Sequence, residues 1–268
     1  MTSGLILRFG LLAAFGATAG CALWNRTAPP PQSALVMPTI AAGNLIILAD
    51  FPLPDDDAVR KDVESLRADL ANNLQVPIED VPIQVHLYQD ADVYRQVVAQ
   101  RFPQLTGRRA VFVNDASGAH VYAHWSDQVS TDLRHELTHA YLNANIGRLP
   151  LWLDEGLAEY FEVPPQPGRI NPEHLPTLNG ALQNGGWRPN LDRLATIDRP
   201  EAMTQLDYAE SWLWIHYLMS GQQRGVITAK LAAESRQELV DPITLQIRHG
   251  NADAELAATQ YLVAISRR

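Results

Sequence analysis

The chain has 268 residues, long enough for one sizeable core or for two lobes around a cleft. Its formal net charge of −9 argues against nucleic-acid binding. A single cysteine, Cys21, excludes an intrachain disulfide, and no internal repeat is visible.

Leu5 to Ala19 is an apolar run with Arg8 near its start, too short and too rich in small residues for a comfortable membrane span. It ends Thr18-Ala19-Gly20-Cys21. Small residues followed by cysteine resemble a bacterial lipoprotein signal, although Thr18 stands where leucine is usual; the resemblance implies a signal peptide over residues 1–21, with Cys21 as the lipidated first residue of the mature chain. The alternative is a cleaved secretory signal, or a short anchor with an incidental cysteine. Residues 22–43 contain Pro29-Pro30-Pro31 and Pro38 without apolar periodicity, the composition of a Pro-rich tether. The folded domain is expected over residues 44–268.

That domain opens with an expected strand at Asn44–Ala49, then a turn and helix start at Pro52 to Asp57. Val59, Val63, Leu66, Leu70 and Leu74 mark an amphipathic helix. Val81–Tyr88 alternates as a strand, and Asp90 to Gln100 reads as a second helix. Arg109–Asn114 and Ala119–Trp125 read as two strands of a hairpin, joined by Asp115-Ala116-Ser117-Gly118.

The next stretch carries chemistry. His135-Glu136-Leu137-Thr138-His139 has the form H-E-x-x-H. Ser130 or Thr131 is the expected N-cap of its helix, Asp132 favours the first turn, and Gly147 followed by Pro150 stops it. Leu133, Leu137, Ala140, Tyr141 and Ala144 give the helix an apolar side. Residues four apart share a helix face, with Cβ atoms roughly 5–6 Å apart. Two imidazoles so placed converge on one metal ion, and Glu136 can take a proton from a water at that ion. Downstream, Leu151-Trp152-Leu153-Asp154-Glu155-Gly156-Leu157-Ala158-Glu159-Tyr160-Phe161 reads as a second helix. Glu155 is assigned as the third ligand, giving one zinc ion per chain with its fourth position open for water. Glu159, one turn on, is expected to orient a ligand imidazole through the free ring nitrogen.

The segments H-E-L-T-H and L-W-L-D-E-G-L-A-E-Y-F resemble the gluzincin zinc metallopeptidases, the peptidase-MA-like group that includes thermolysin and the zinc aminopeptidases. The resemblance covers Thr131 to Phe161. It implies an α+β, zincin-like fold, with a mixed sheet and the H-E-x-x-H helix in an α/β upper lobe (44–147) and a mainly helical lower lobe (148–268). It also implies that Glu155 is the third zinc ligand and that Ala119–Trp125 is an edge strand pairing with an extended peptide substrate. The gap from His139 to Glu155 is shorter than in the zinc aminopeptidases, and Ala116-Ser117-Gly118-Ala119-His120-Val121-Tyr122 stands where those enzymes carry a Gly-rich motif. The resemblance therefore does not extend to aminopeptidase specificity. It comes nearer to the peptidase-like domains of bacterial envelope lipoproteins, which implies a lipid-anchored protein of the cell envelope acting on peptides or proteins.

Pro164-Pro165-Gln166-Pro167-Gly168 is a rigid loop, 172–184 a short helix, and Gly185-Gly186 a turn. Leu206 to Met219 is strongly apolar and aromatic, and Thr228 to Arg268 reads as two or three helices. Gluzincins take an oxyanion partner from the helical lobe, and Tyr208 resembles that position, with core packing as its alternative. His216 is read as a core histidine before an oxyanion partner. His120 and His124 share one strand face and read as a partly exposed pair, and Trp152 and Trp212 as packing. The expected activity is peptide hydrolysis with Glu136 as general base. The alternatives are a non-catalytic envelope protein on the same scaffold, or a zinc hydrolase of non-peptide amides or esters.

Overall fold

The computed structural model describes residues 39–53, 58–221 and 223–267. The expected signal peptide with Cys21, and the tether as far as residue 38, lie outside the described residues, as does most of the expected turn at Pro52 to Asp57. The end of the tether stretch is not tether: Thr39–Ala42 forms strand β1, paired antiparallel with β2 (Leu45–Ala49). Gly43 turns between them at φ +61°, where a side chain would be strained.

The fold is α+β. From β2 the chain runs through α1 (Ala58–Leu74) to β3 (Ile83–Tyr88), which lies parallel to β2. Helix α2 (Ala91–Arg101) follows, N-capped by the Asp90 carboxylate, which accepts from the backbone N–H groups of Asp92 and Val93. Then β4 (Ala110–Asp115) and β5 (Gly118–His124) form an antiparallel hairpin, and β5 also pairs parallel with β3. The strand order is β1-β2-β3-β5-β4.

This order corrects one expectation. Ala119–Trp125 is not the edge: β5 is paired on both sides, and β4 is the outer strand. A hairpin partner must lie beside β5, so once β3 takes its other side β4 is left outside. The near-continuous burial from His120 to Ala123 is that of an interior strand. One sheet face presents Ile83, Val85, Leu87, Val121 and Ala123 to the main core, which α1 and α3 share. The other presents Tyr88 and Tyr122 to Tyr94 and Val98 of α2.

Helix α3 (Val129–Asn145) carries the H-E-x-x-H sequence. It begins earlier than expected, with Gln128 as N-cap and no capping side chain. Ser130 lies within the first turn and donates its hydroxyl proton to Asp62 on α1. Gly147 ends the helix as expected, at φ +92° with its N–H on the Leu142 carbonyl. Arg134, fully buried, fixes the helix in place: its guanidinium donates to Asp62, to Asp69 and to the Phe161 carbonyl. Arg169, from the loop after α4, shares Asp69.

Helix α4 (Leu151–Phe161) packs closely against α7 (Gln205–Ser220). Between them in sequence lie α5 (His174–Asn184) and the short α6 (Leu191–Ala195). Helix α7 starts with a capping box between Thr204 and Asp207. Helices α8 (Arg224–Ser235), α9 (Ile243–Gly250) and α10 (Ala254–Ile265) complete the described chain. One apolar cluster runs from Leu45 in β2 to Ile265 in α10, so the sheet-bearing and helical parts share a core. Among the described residues no helix is long and apolar enough to cross a membrane.

Candidate metal centre

The helical spacing of His135 and His139 brings their Nε2 atoms to 3.2 Å from each other. Helix α4 adds the Glu155 carboxylate, whose Oε2 lies 3.6 Å from each of those nitrogens. The three atoms converge on one point. A tetrahedral ion with bonds of about 2.0–2.2 Å sets its ligand atoms roughly 3.3–3.6 Å apart, the spacing seen here.

The far ring nitrogens identify the tautomer. His135 Nδ1 lies 2.9 Å from Glu162 Oε2, and His139 Nδ1 lies 3.0 Å from Asp154 Oδ2. An ionised carboxylate only accepts, so each Nδ1 carries a proton and each Nε2 is left to turn inward, toward a cation or a second proton. Glu155 Oε2 is buried without a hydrogen-bond partner. Three acceptors facing one another require a cation or added protons between them. The charge balance points the same way. Burial opposes charging of both imidazoles, but the surrounding carboxylates more than reverse this, raising His135 well above its ordinary value and His139 to about 10. Burial likewise pushes the Glu155 carboxyl up, and the two imidazoles override it and hold it far below the carboxylate range. The residues therefore fit a positive ion that accepts nitrogen and oxygen ligands.

The orienting carboxylates are not the one expected. Glu159 lies within 4.8 Å of His135 but its carboxylate accepts from His174 Nε2, at 2.6 Å. Glu162 serves His135 instead, and is held by Asn171, whose Nδ2 donates to Glu162 Oε1 at 2.7 Å. Position explains the difference. Glu162 follows Glu155 by seven residues, two helical turns, and so returns to the face that α3 covers. The spacing was a usable signal, and so was the carboxylate next to Glu155 at Asp154.

No protein-family model and no curated protein matches this chain. What the site can do rests on its own geometry. A cavity of about 560 Å3 opens on the cluster, with Glu136, His139, Asp154 and Glu155 among its lining residues. Val111 and Phe112 of β4, with Leu149 before α4 and Leu151 at its start, give it apolar walls. Glu136 is 8% exposed and faces this space beside the ligands.

Tyr208, in the first turns of α7, is half-buried and is not among the residues lining this cavity. Burial first, and then the negative charge of Glu155, push its hydroxyl up to about 12, so it stays protonated and able to donate. His216 is elsewhere: its Nε2 lies 2.6 Å from the Gly168 carbonyl, its Nδ1 lies 2.7 Å from the Tyr261 hydroxyl, and it is a core histidine. His120 and His124 share the sheet face covered by α2, and neither lines the cavity. His120 is buried rather than partly exposed, stacked beside His86 and bonded to Ser117. Trp152 and Trp212 are core residues.

Proposed function

We propose that this protein is a zinc-dependent metallopeptidase of the gluzincin type on a zincin-like scaffold. The observation that carries the reading is the set of three acceptor atoms, from His135, His139 and Glu155, at the spacing of a tetrahedral face, with both far ring nitrogens held by carboxylates. Structural zinc sites close all four positions with protein ligands, whereas three ligands opening on a cavity suit a hydrolase. When bound, zinc supplies Lewis acidity, acidifying a water and polarising a carbonyl.

The chain supplies the remaining parts. Glu136 accepts the proton of the attacking water and delivers it to the leaving amine, a carboxylate shuttle placed next to a ligand. Tyr208 donates its phenolic proton in a hydrogen bond to the carbonyl oxygen as negative charge builds there. The apolar walls strip water from the peptide and leave those two groups to direct the proton traffic. The N-terminal sequence adds the place: a bacterial envelope protein tethered through a lipid on Cys21, acting on peptides or proteins.

Glu136→Gln tests this directly. Full-length protein in mild detergent, wild type and variant side by side, is assayed for zinc content and for cleavage of an unfolded protein. Near one zinc per chain in both, with cleavage only in the wild type, is the expected result. Absence of stoichiometric zinc, or equal cleavage by the two proteins, would sink the reading.

A further inference from the structure

The cavity beside the candidate metal centre has an uneven charge distribution. Three of its carboxylates are held by partners: Asp154 by His139, Glu234 by Lys230, and Glu155 by the imidazoles, while Asp198 is exposed. Glu136 is the base of the proposed reaction. Arg108 and Arg148 also line the cavity, both exposed, and neither has a carboxylate partner among the described residues. Among the residues lining this acidic cleft, these two guanidinium groups are the only arginine or lysine charges.

Arg108 is anchored beside the sheet. It precedes the outer strand β4, and its backbone carbonyl accepts from the Tyr94 hydroxyl at 3.1 Å, which fixes the residue at that strand's entrance. It lines the same cavity as Glu136, His139 and Glu155, beside Val111 and Phe112 of β4. Arg108 therefore places a positive charge in the space that a substrate reaching the candidate metal centre would occupy.

Building on the peptidase reading, we propose that Arg108 is a specificity residue that selects peptides bearing a carboxylate beside the scissile bond, with Arg148 adding to the same field. That carboxylate is an acidic side chain or the free C-terminus. A guanidinium binds either one through paired, charge-assisted hydrogen bonds.

The test is a binding measurement that does not depend on turnover. Zinc-loaded full-length Glu136→Gln protein is titrated into fluorescein-labelled hexapeptides, read by fluorescence anisotropy. One set carries Glu walked through each internal position with an amidated terminus. A second carries Gln in its place, also amidated, and a third carries Gln with a free C-terminal carboxylate. Carboxylate peptides are expected to bind about tenfold to a hundredfold more tightly than neutral ones. Adding Arg108→Gln should remove most of that advantage and leave neutral peptides unchanged, while Arg108→Lys retains part of it. A preference confined to the internal Glu set, or to the free terminus, supports the proposal and names the source.

Equal binding of all three sets overturns it, as does an absence of binding or a preference that survives Arg108→Gln. Cleavage by the wild type is scored separately. Selective binding without cleavage of any peptide would refute the peptidase reading and leave the carboxylate site standing.

Discussion

A Cβ atom on Gly156 would lie 2.6 Å from the carbonyl oxygen of Ser211 and 2.7 Å from the side chain of Ile215. Helices α4 and α7 therefore approach as closely as they do because residue 156 has no side chain. The neighbours on either side of this contact are chemical: Glu155 faces the imidazoles, and Tyr208 sits one turn before Ser211. Gly156→Ala must push backbone against backbone, since the nearest atom is a main-chain oxygen. Loss of about 1–3 kcal/mol of stability is expected, together with weaker zinc binding. Chemical denaturation and a chelator competition titration read the two effects; an unchanged midpoint would contradict the close packing.

The carboxylates behind the imidazoles have a measurable role. Glu162→Gln removes the charge that holds His135 in its tautomer, and Asp154→Asn does the same for His139. Each should lower zinc affinity by about tenfold to a hundredfold while the fold persists. Glu159→Gln, whose carboxylate serves His174, is expected to have the smaller effect. The reverse ranking, measured by competition against a chromophoric chelator, would restore Glu159 as the orienting group.

Asp69 answers for two buried cations. It pairs with Arg134 at 2.8 Å and with Arg169, and all three side chains are nearly inaccessible. Asp69→Ala strands the Arg169 guanidinium away from solvent and leaves Arg134 with Asp62 as its remaining carboxylate partner. A cost on the order of 3–5 kcal/mol is expected, because an uncompensated buried charge is worse than no pair at all. Urea denaturation checks it, and a change below about 1 kcal/mol would mean that the arginines find water instead.

Stability should also rise with pH across an acidic window. Burial first, then the neighbouring His120 and Arg101, push the His86 imidazole from 6.5 down to about 4. Between those values the unfolded chain holds a proton that the folded chain does not. Stability due to His86 is thus complete above pH 6.5 and is lost as pH falls to about 4. The size is on the order of 3 kcal/mol. Denaturation curves at several pH values should show a shallower slope in His86→Gln than in wild type. Parallel slopes would remove His86 as the cause.

The sequence by itself determined whatever is local. The four-residue spacing puts His135 and His139 on one face of any helix, and Gly147 ends that helix because only a residue without a side chain turns there at low cost. Alternation and apolar stripes likewise located β2, β3, β5 and the long helices to within a few residues, since those patterns follow from chain geometry. Tertiary structure decided which groups meet across elements. Nothing in Ala119–Trp125 says that two strands flank it, because strand order depends on where α1 and the hairpin lay their partners. Ser130 looked like a cap, but the end of α3 is set by packing against α1, where Asp62 takes its hydroxyl. Glu159 on α4 and Glu162 at its C-cap are both acids near His135, and the place to which α5 brings His174 decides that Glu159 bonds it while Glu162 bonds His135. A helix face is fixed by its own residues, whereas a partner is fixed by the element that arrives opposite.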